Sequence, residues 1–156
     1  RVNPVPVQIN QLIPEIIDLH ALHAREKQIR IENQVNADIG LFADRNMIHT
    51  VLRNLTSNAI KYTSSGGRIT FNASDEKDHV DISVSDTGVG ISEEKIRNLF
   101  SLEKAKSTAG TAGETGTGLG LLVCEEFLEL NNGKIRVSSQ PGAGSTFTIA
   151  LPASPA

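Results

Sequence analysis

The sequence is poor in the residues that would place it in several common classes of protein. Its 156 residues contain one cysteine, Cys124, which excludes an internal disulfide framework and favours a reducing compartment. Tryptophan is absent and there is a single tyrosine, so few rings are available to stack on nucleic-acid bases. Lys and Arg number 15 against 18 Asp and Glu, and this net charge of −3 lacks the basic excess that a phosphate backbone attracts. Nucleic-acid binding is therefore not expected.

Long apolar runs and a signal peptide are missing as well. No stretch approaches the ~20 residues that cross a bilayer, so we expect no membrane contact by these residues. A chain of ~150 residues buries roughly 68–70% of its unfolded surface, which is enough for a core of its own. We therefore predict a single domain over residues 1–156. Because the chain begins with Arg1 and not with Met, we expect that it is cut from something longer.

Glycine is present in an ordinary amount but in an unusual arrangement. The total of 13 is close to the average for proteins, yet more than half of the glycines lie between Asp86 and Leu121. These are Gly88, Gly90, Gly110, Gly113, Gly116, Gly118 and Gly120. Glycine allows tight turns and a close approach of the backbone to a ligand, so a binding site is expected in this stretch.

The periodicity of the apolar residues predicts a mixture of strands and helices. Strands are predicted at residues 5–9, 29–35, 41–43, 68–74 and 79–85, followed by a last hairpin around residues 141–144. Helices are predicted within residues 10–27, from an Asp44 cap to about Tyr62, after a Ser92 cap, and over residues 118–130. Pro14 favours a first turn, which leaves the start of the first helix open. Residues 102–115 have no period, and we expect a mobile loop there.

This order of elements predicts a two-layer α/β sandwich, in which a mostly antiparallel or mixed sheet has one face under helices. The second long helix carries Asn54, Asn58, Lys61 and Tyr62 within an arc of about 100°. An amide oxygen suits Mg²⁺, an ammonium can hold a phosphate, and a phenol can lie beside a flat base. A helix with an ordinary polar rim explains the same pattern, and this segment alone does not decide between the two.

Two glycine-rich segments follow the helix. Residues 86–91 read Asp-Thr-Gly-Val-Gly-Ile directly after a strand, where a carboxylate can accept a hydrogen bond from an amine, although the pattern also fits a common turn. Residues 116–121 open a helix whose free amides favour an anion, although a glycine-rich hinge fits as well. No Walker motif occurs, and no strand precedes the second segment as a dinucleotide fingerprint requires.

Taken together, these segments resemble the motifs of the ATP-binding domain of histidine kinases. That domain belongs to the superfamily of gyrase, the ninety-kilodalton heat-shock chaperone and the MutL mismatch-repair protein. Residues 54–63 resemble its N box, residues 86–90 its first glycine box and residues 116–121 its second. Residues 99–100 stand where the F box would be, and residues 144–147 resemble the closing glycine box. The likeness covers about residues 4–152, essentially the whole chain.

The resemblance implies the Bergerat α/β sandwich, with ATP and Mg²⁺ as cofactors and residues 102–115 as a mobile ATP lid. It implies that Asp86 faces the adenine, that Asn58 binds the metal, and that Asn54 lies near the metal and phosphates. Asn54 and Asn58 are the implied catalytic residues. The other implied nucleotide-binding positions are Lys61, Tyr62, Gly88, Gly90, Ile91, Gly116, Thr117, Gly118, Leu119 and Gly120.

Two positions depart from the family pattern. The ATPases of the superfamily place a glutamate one turn before the metal asparagine to activate water, and Asn54 stands there instead. Since an amide cannot act as a base at neutral pH, hydrolysis is disfavoured and transfer to an external acceptor is favoured. The lid has no second phenylalanine after Phe100, only Leu102, which puts its anchoring in doubt.

The phosphate acceptor is expected to lie outside this sequence. None of the histidines, His20, His23, His49 and His79, sits in the His-Glu-x-x-x-x-Pro setting of the family's acceptor. We therefore expect the dimerisation domain to be absent from residues 1–156. We expect His20 and His23 to be structural or solvent-facing, and Cys124 to serve in helix packing.

The resemblance implies a domain that transfers the γ-phosphate of ATP to a histidine on the dimerisation domain of the same parent kinase, in two-component signalling with a response regulator. The isolated chain is expected to be a cytoplasmic monomer that does not autophosphorylate. The parent is expected to be a homodimer that can be anchored in the bacterial inner membrane through an upstream segment. Two alternatives stay open, namely a nucleotide-binding regulatory module without transfer activity, and an ATPase or Ser/Thr-directed kinase of the same superfamily.

Overall fold

The computed structural model describes residues 1–98 and 120–155. Residues 99–100, residues 102–115 and the glycine-box positions Gly116, Thr117, Gly118 and Leu119 therefore lie outside the described residues. The elements are, in order, β1 (Val5–Gln8), α1 (Ile9–Glu26), β2 (Arg30–Asn33), β3 (Gly40–Ala43), α2 (Arg45–Tyr62), β4 (Arg68–Asp75), β5 (His79–Asp86), α3 (Glu93–Asn98), α4 (Gly120–Leu130), β6 (Lys134–Ser139) and β7 (Ser145–Pro152).

Five strands form one sheet in the order β2-β4-β5-β7-β6. Strand β2 runs parallel to β4, and the other three neighbouring pairs are antiparallel. Parallel pairing needs a crossover connection, and α2 lies in the chain between β2 and β4. The predicted mostly antiparallel sheet is confirmed. Strands β1 and β3 pair with each other in a separate two-stranded sheet.

Alternation along the strands gives the sheet one apolar face. On β4, Ile69 and Phe71 are fully buried, whereas Thr70 and Asn72, which alternate with them, are half-exposed on the opposite face. The buried strand residues share one hydrophobic core with residues of α1, α2 and α4. The predicted two-layer sandwich, with helices on one face of the sheet, is therefore confirmed.

Helix α1 begins at Ile9, so Pro14 lies in its second turn and not in its first. The proline ring removes one backbone donor, which by itself disfavours a position inside a helix. The helix nevertheless continues because Leu12, Ile13 and Ile16 around the proline are fully buried. Burial of such side chains is worth roughly 1.5–3 kcal/mol each, which offsets the local cost.

Helix α2 is fixed at both ends by local contacts. Asp44 caps its start as predicted, since Oδ1 accepts a hydrogen bond from the backbone N–H of Met47 at 3.1 Å. Its end at Tyr62 is followed by a turn in which Gly66 has a φ of +92°. The predicted cap of α3 is also confirmed, because Ser92 Oγ accepts from Lys95 N at 3.3 Å. Among residues 1–98 and 120–155, no helix combines the length and apolar character needed to cross a membrane.

Candidate functional site

The polar residues predicted on the second long helix lie along the second half of α2. Asn54, Asn58, Lys61 and Tyr62 are all half-exposed, whereas Ala59 on the neighbouring stripe is buried. The ammonium of Lys61 lies 5.1 Å from the centre of the Tyr62 ring, within range of a cation–π contact. Helix α2 therefore presents two amides, an ammonium and a phenol along the edge of its buried face.

The side chain of Asn54 lies against helix α4. A Cβ built on Gly120 would be 3.6 Å from Cγ of Asn54 and 3.7 Å from its Oδ1. One turn further along α4, the fully buried Cys124 has its Sγ 3.7 Å from the carbonyl oxygen of Val51. Burial raises the pKa of the Cys124 thiol to about 11, and a hydrogen bond with the Asn54 side chain opposes the rise. The packing role predicted for Cys124 is confirmed, but its contact with Asn54 was not predicted.

Asp86 is the last residue of β5, and its carboxylate is oriented by two backbone amides. Oδ1 accepts hydrogen bonds from Gly88 N at 2.8 Å and from Ser145 N at 3.3 Å. Burial raises the pKa of Asp86, and these two donors act in the opposite direction because they stabilise the charged form. The structure therefore places a partly buried carboxylate, held by main-chain groups, at the end of the central strand.

The glycines after Asp86 are required by contacts with the chain itself. A Cβ on Gly88 would lie 2.3 Å from the carbonyl oxygen of Tyr62, and one on Gly90 would lie 1.9 Å from that of Gln140. Between them, Val89 donates its backbone N–H to the Tyr62 carbonyl at 3.1 Å. Residues 86–91, called the glycine turn below, are thus packed between the end of α2 and the β6–β7 turn. The sequence predicts that these glycines allow a close approach to a ligand. At these two positions they instead allow a close approach to the chain's own backbone.

Ser139 joins the glycine turn to the β6–β7 turn, a role that the sequence reasoning missed. Its hydroxyl accepts from Ile91 N at 2.7 Å and lies 3.0 Å from the Gly144 carbonyl and 2.7 Å from Ser145 Oγ. The backbone N–H of Ser145 in turn donates to Asp86. The alternation of β6 places Ser139 on the same face as the strand's apolar residues, and this is the signal that could have found it.

A cavity of about 240 Å³ opens beside Asp86. It includes none of the predicted residues on α2, so the described residues do not form one enclosed pocket around the whole predicted set. The cavity and the predicted residues on α2 are connected by the contact of the glycine turn with the end of α2. The cavity is lined by Asp86, Ser138, Ser139, Gln140, Ala143, Gly144, Ser145 and Thr146.

The implied magnesium ion can be tested against the donors that are present. Within residues 1–98 and 120–155, no group of three or more His, Cys, Asp and Glu side chains could hold a metal ion. Mg²⁺ keeps several waters and is usually held by one or two protein oxygens together with substrate phosphates. The half-exposed amide of Asn58 fits that mode, as a single protein ligand to an ion that arrives with a nucleotide.

Comparison with known proteins defines the class of domain. Residues 43–155 match the family described as Histidine kinase-, DNA gyrase B-, and HSP90-like ATPase. The catalytic domain of histidine kinase ThkA, solved free of nucleotide, matches with a TM-score of 0.82 at 31% identity, over 98% of this chain and 99% of that one. Fold and family together define an ATP-binding catalytic domain of the histidine-kinase type.

Several of the proteins that this chain matches are much longer than the chain itself. Adaptive-response sensory kinase SasA of Crocosphaera subtropica is 38% identical over 97% of this chain, which spans 40% of the relative's length. Full-length ShkA in complex with AMPPNP has a TM-score of 0.84 at 27% identity, over 100% of this chain and 32% of that one. ThkA in complex with the response regulator TrrA has a TM-score of 0.80 at 28% identity, over 98% and 42%. The chain belongs to the histidine kinase-, DNA gyrase B- and HSP90-like ATPase family, as the resemblance in its sequence implied.

Proposed function

We propose that this domain binds ATP with Mg²⁺ and transfers the γ-phosphate to a histidine on the dimerisation domain of its parent kinase. The observation that carries the proposal is the joint between α2 and the glycine turn. Val89 donates to the Tyr62 carbonyl and so holds the glycine turn against the end of α2, which supports a single site formed by the Asp86 carboxylate and the polar edge of α2. A nucleotide has a base and a charged phosphate chain, and this site offers a distinct set of groups for each.

At the base end of the site, the ionised carboxylate of Asp86 accepts a hydrogen bond from the exocyclic amine of adenine. Its orientation is set in advance by the amides of Gly88 and Ser145. Tyr62 beside the glycine turn and Ile91 at its end are half-exposed and supply surfaces for the ring. Gly88 and Gly90 serve this end by keeping the turn closed.

At the phosphate end, the Asn58 amide is the protein ligand of the magnesium ion and Lys61 holds a phosphate as a point charge. When bound, Mg²⁺ supplies charge screening for the phosphate oxygens. Gly120 begins α4, where backbone amides favour an anion, and the predicted phosphate positions Gly116, Thr117, Gly118 and Leu119 precede it outside the described residues. Asn54 cannot take a proton from water, so the phosphate is held for an acceptor elsewhere.

The proposed partners follow from the longer relatives. The chain spans about two-fifths of SasA, which leaves room for a dimerisation domain carrying the acceptor histidine in a homodimeric parent. ThkA has been solved with the response regulator TrrA, which supports a response regulator as the downstream partner here. ShkA has been solved with AMPPNP, which supports a nucleoside triphosphate as the ligand. We place the domain in the cytoplasm, with a parent that can be anchored through an upstream segment.

The test combines a binding and a transfer experiment. Calorimetric titration with ATP, with and without MgCl₂, is expected to show binding that strengthens with the metal. With γ-labelled ATP, the domain alone is expected to take up no acid-labile phosphate, whereas a dimerisation-domain fragment of its parent becomes labelled when both are mixed.

Three outcomes would contradict this proposal. Stable phosphate on the isolated domain would place the acceptor within residues 1–156. Nucleotide binding with no label on the added fragment would support a regulatory module without transfer activity. Steady hydrolysis of ATP that disappears in Asn54→Ala would support an ATPase.

A further inference from the structure

Lys27 reaches from the end of α1 to the end of α2, although it lies outside residues 43–155 that match the family. Its Nζ donates hydrogen bonds to the carbonyl oxygens of Ile60 at 2.8 Å and of Lys61 at 3.1 Å. The last four carbonyls of a helix have no donor within the helix and carry a partial negative charge. The ammonium of Lys27 therefore bonds two adjacent carbonyls at the end of α2, of which that of Ile60 also accepts from Thr63 N at 3.4 Å.

The next carbonyl of α2 is bound by the glycine turn. Val89 donates its backbone N–H to the Tyr62 carbonyl at 3.1 Å, beside Gly88, whose missing Cβ makes room for that oxygen. Three successive carbonyls at the end of α2 are thus bonded to two separate segments, the first two to Lys27 and the third to the glycine turn. Because successive peptide planes share a backbone, the direction of one carbonyl constrains that of the next.

The turn that carries Lys27 is itself tied to the turn that follows α2. Gln28 has a left-handed φ of 60°, and its carbonyl accepts from Gly66 N at 2.8 Å. Its side-chain Oε1 accepts from Ser65 Oγ at 2.7 Å, and Arg30 N donates to the Gly67 carbonyl at 3.0 Å. The half-buried Lys27 side chain therefore starts from a fixed point, so its contact with α2 is built into the fold.

We propose that Lys27 is a positioning residue for the nucleotide site. Its ammonium sets the end of α2, so that the side chains of Lys61 and Tyr62 and the glycine turn meet in the geometry that a nucleotide requires. Lys27 acts through the carbonyls of α2 and does not contact the nucleotide itself. The inference rests on the nucleotide binding proposed above and adds α1, which precedes the matched region, to the elements that build the site.

The test compares substitutions at Lys27 with a matched control. Lys27→Met keeps most of the length but removes charge and donors, whereas Lys27→Arg keeps both. Lys134→Met removes the same charge from an exposed residue at the start of β6. Affinity for ATP with MgCl₂ is measured by calorimetry well below the melting temperature of each variant. Amide hydrogen exchange of Val89 is measured without nucleotide.

Lys27→Met is expected to weaken ATP binding about tenfold, because two charge-assisted hydrogen bonds are lost. It is also expected to speed the exchange of the Val89 amide. Lys27→Arg should restore most of both properties, and Lys134→Met should change neither. A purely structural lysine would lower the melting temperature and leave affinity and local exchange unchanged well below it.

The outcomes separate the two proposals. If the unaltered domain binds neither ATP nor ADP, the proposed function fails, and Val89 exchange in Lys27→Met still tests whether Lys27 sets the end of α2. Wild-type affinity and unchanged Val89 exchange in folded Lys27→Met would overturn the role of Lys27 alone. If Lys27→Met does not fold, Lys27→Gln replaces it, and weakened binding with faster Val89 exchange supports the role while wild-type values overturn it.

Discussion

The two ends of the site are built from different kinds of contact. Around Asp86, backbone packs on backbone, and a Cβ on Gly144 would lie 2.1 Å from the Asp86 carbonyl oxygen. Around Asn54, side chains of α2 face α4 across ordinary van der Waals distances, with 3.6 Å between a Cβ on Gly120 and Asn54 Cγ. The backbone of the proposed base end therefore cannot shift without changing the fold, whereas the side chains of the proposed phosphate end can change their chemistry while the fold stays the same.

The position of Asn54 shows what that freedom permits. The superfamily's ATPases, which the sequence resembles, carry glutamate there, and a carboxylate or a carboxamide can occupy the same half-exposed site on α2. Because Asn54 lies on a helix, the main-chain ladder of the sheet does not depend on its side chain. If Asn54 lies beside the phosphates as proposed, we expect a glutamate there to favour hydrolysis while the base end is kept.

The largest expected effect is a loss of stability caused by a substitution in the base end. Gly90→Ala would place Cβ 1.9 Å from the Gln140 carbonyl oxygen at a φ of +75°, and we expect it to lower the free energy of unfolding by about 3 kcal/mol or more. Gly142→Ala is the matched control, since its φ of +80° is similar but no atom lies within 4 Å of its Cβ. It should cost only about 1 kcal/mol. Urea denaturation measures both, and equal losses would contradict a base end made rigid by backbone contacts.

At the phosphate end, Asn58→Asp should change binding and leave folding alone. We expect its affinity for ATP with MgCl₂ to fall about tenfold, because a carboxylate repels the phosphates and alters the ligand to the metal. Arg53→Gln lowers the charge of α2 by the same amount at an exposed position and should have little effect on affinity. The unfolding free energy of both should stay within about 0.5 kcal/mol of wild type. Unchanged magnesium-dependent affinity in Asn58→Asp would refute the metal role.

Asp86 should make the base end sensitive to pH. Burial raises the pKa of Asp86 above its ordinary value of 3.8, so acidification toward that raised pKa protonates the carboxylate and removes the acceptor for adenine. ATP affinity should therefore fall as pH is lowered from neutrality. In Asp86→Asn the affinity should be lower at neutral pH and change less with pH. Parallel pH profiles for the two proteins, measured by calorimetry, would exclude Asp86 as the titrating group.

The same carboxylate has a predictable effect on stability. A raised folded-state pKa means that ionised Asp86 disfavours the folded state at neutral pH, and that this penalty disappears as pH falls below the unfolded-state value. The carboxamide oxygen introduced by Asp86→Asn can still accept from the amides of Gly88 and Ser145. We therefore expect the variant to lose affinity without losing stability at neutral pH, which denaturant titration checks.

The smallest expected effect on ATP affinity concerns Ser139, which joins the glycine turn to the β6–β7 turn. Ser139→Ala removes an acceptor for Ile91 N and should cost about 1–2 kcal/mol of stability together with a few-fold loss of ATP affinity. Ser154→Ala, at an exposed position that does not line the cavity, should stay within about 0.5 kcal/mol of wild type. Denaturation measures the stability of both variants, and calorimetry measures their affinity for ATP. Identical results for the two would contradict a role of Ser139 in the base end.

The elements of the fold were predictable because their signals are local. Asp44 and Ser92 cap the helices that the sequence assigned to them, and alternation identified both faces of β4 and β5. Pairing was less predictable, since an alternating strand does not specify its neighbour. Nothing local distinguishes β2, which joins the main sheet in parallel, from β1, which pairs with β3.

The candidate site was predictable where a motif carries it and not where packing does. Asn54, Asn58 and Asp86 are recognised by residue type and spacing, and their individual roles stay predictions. Lys27 and Ser139 were not predicted, because their hydrogen-bond partners Ile60 and Ile91 are 33 and 48 positions away in the sequence. Such contacts depend on the three-dimensional approach of elements that no periodicity records.

Asn131 ties the end of helix α4 to the start of α2. Its buried side chain accepts from Asp44 N at 2.7 Å and donates to the Phe127 carbonyl at 2.7 Å, which fastens the far end of α4 to the start of α2. The near end begins at Gly120 against Asn54. The 11 residues of α4 form an arm in which a tilt of about 5° at Asn131 displaces Gly120 by roughly 1.4 Å, given a rise of ~1.5 Å per residue. Since we propose that Gly120 lies beside the phosphates, a small rotation of α4 about Asn131 would change the position of its first amide there.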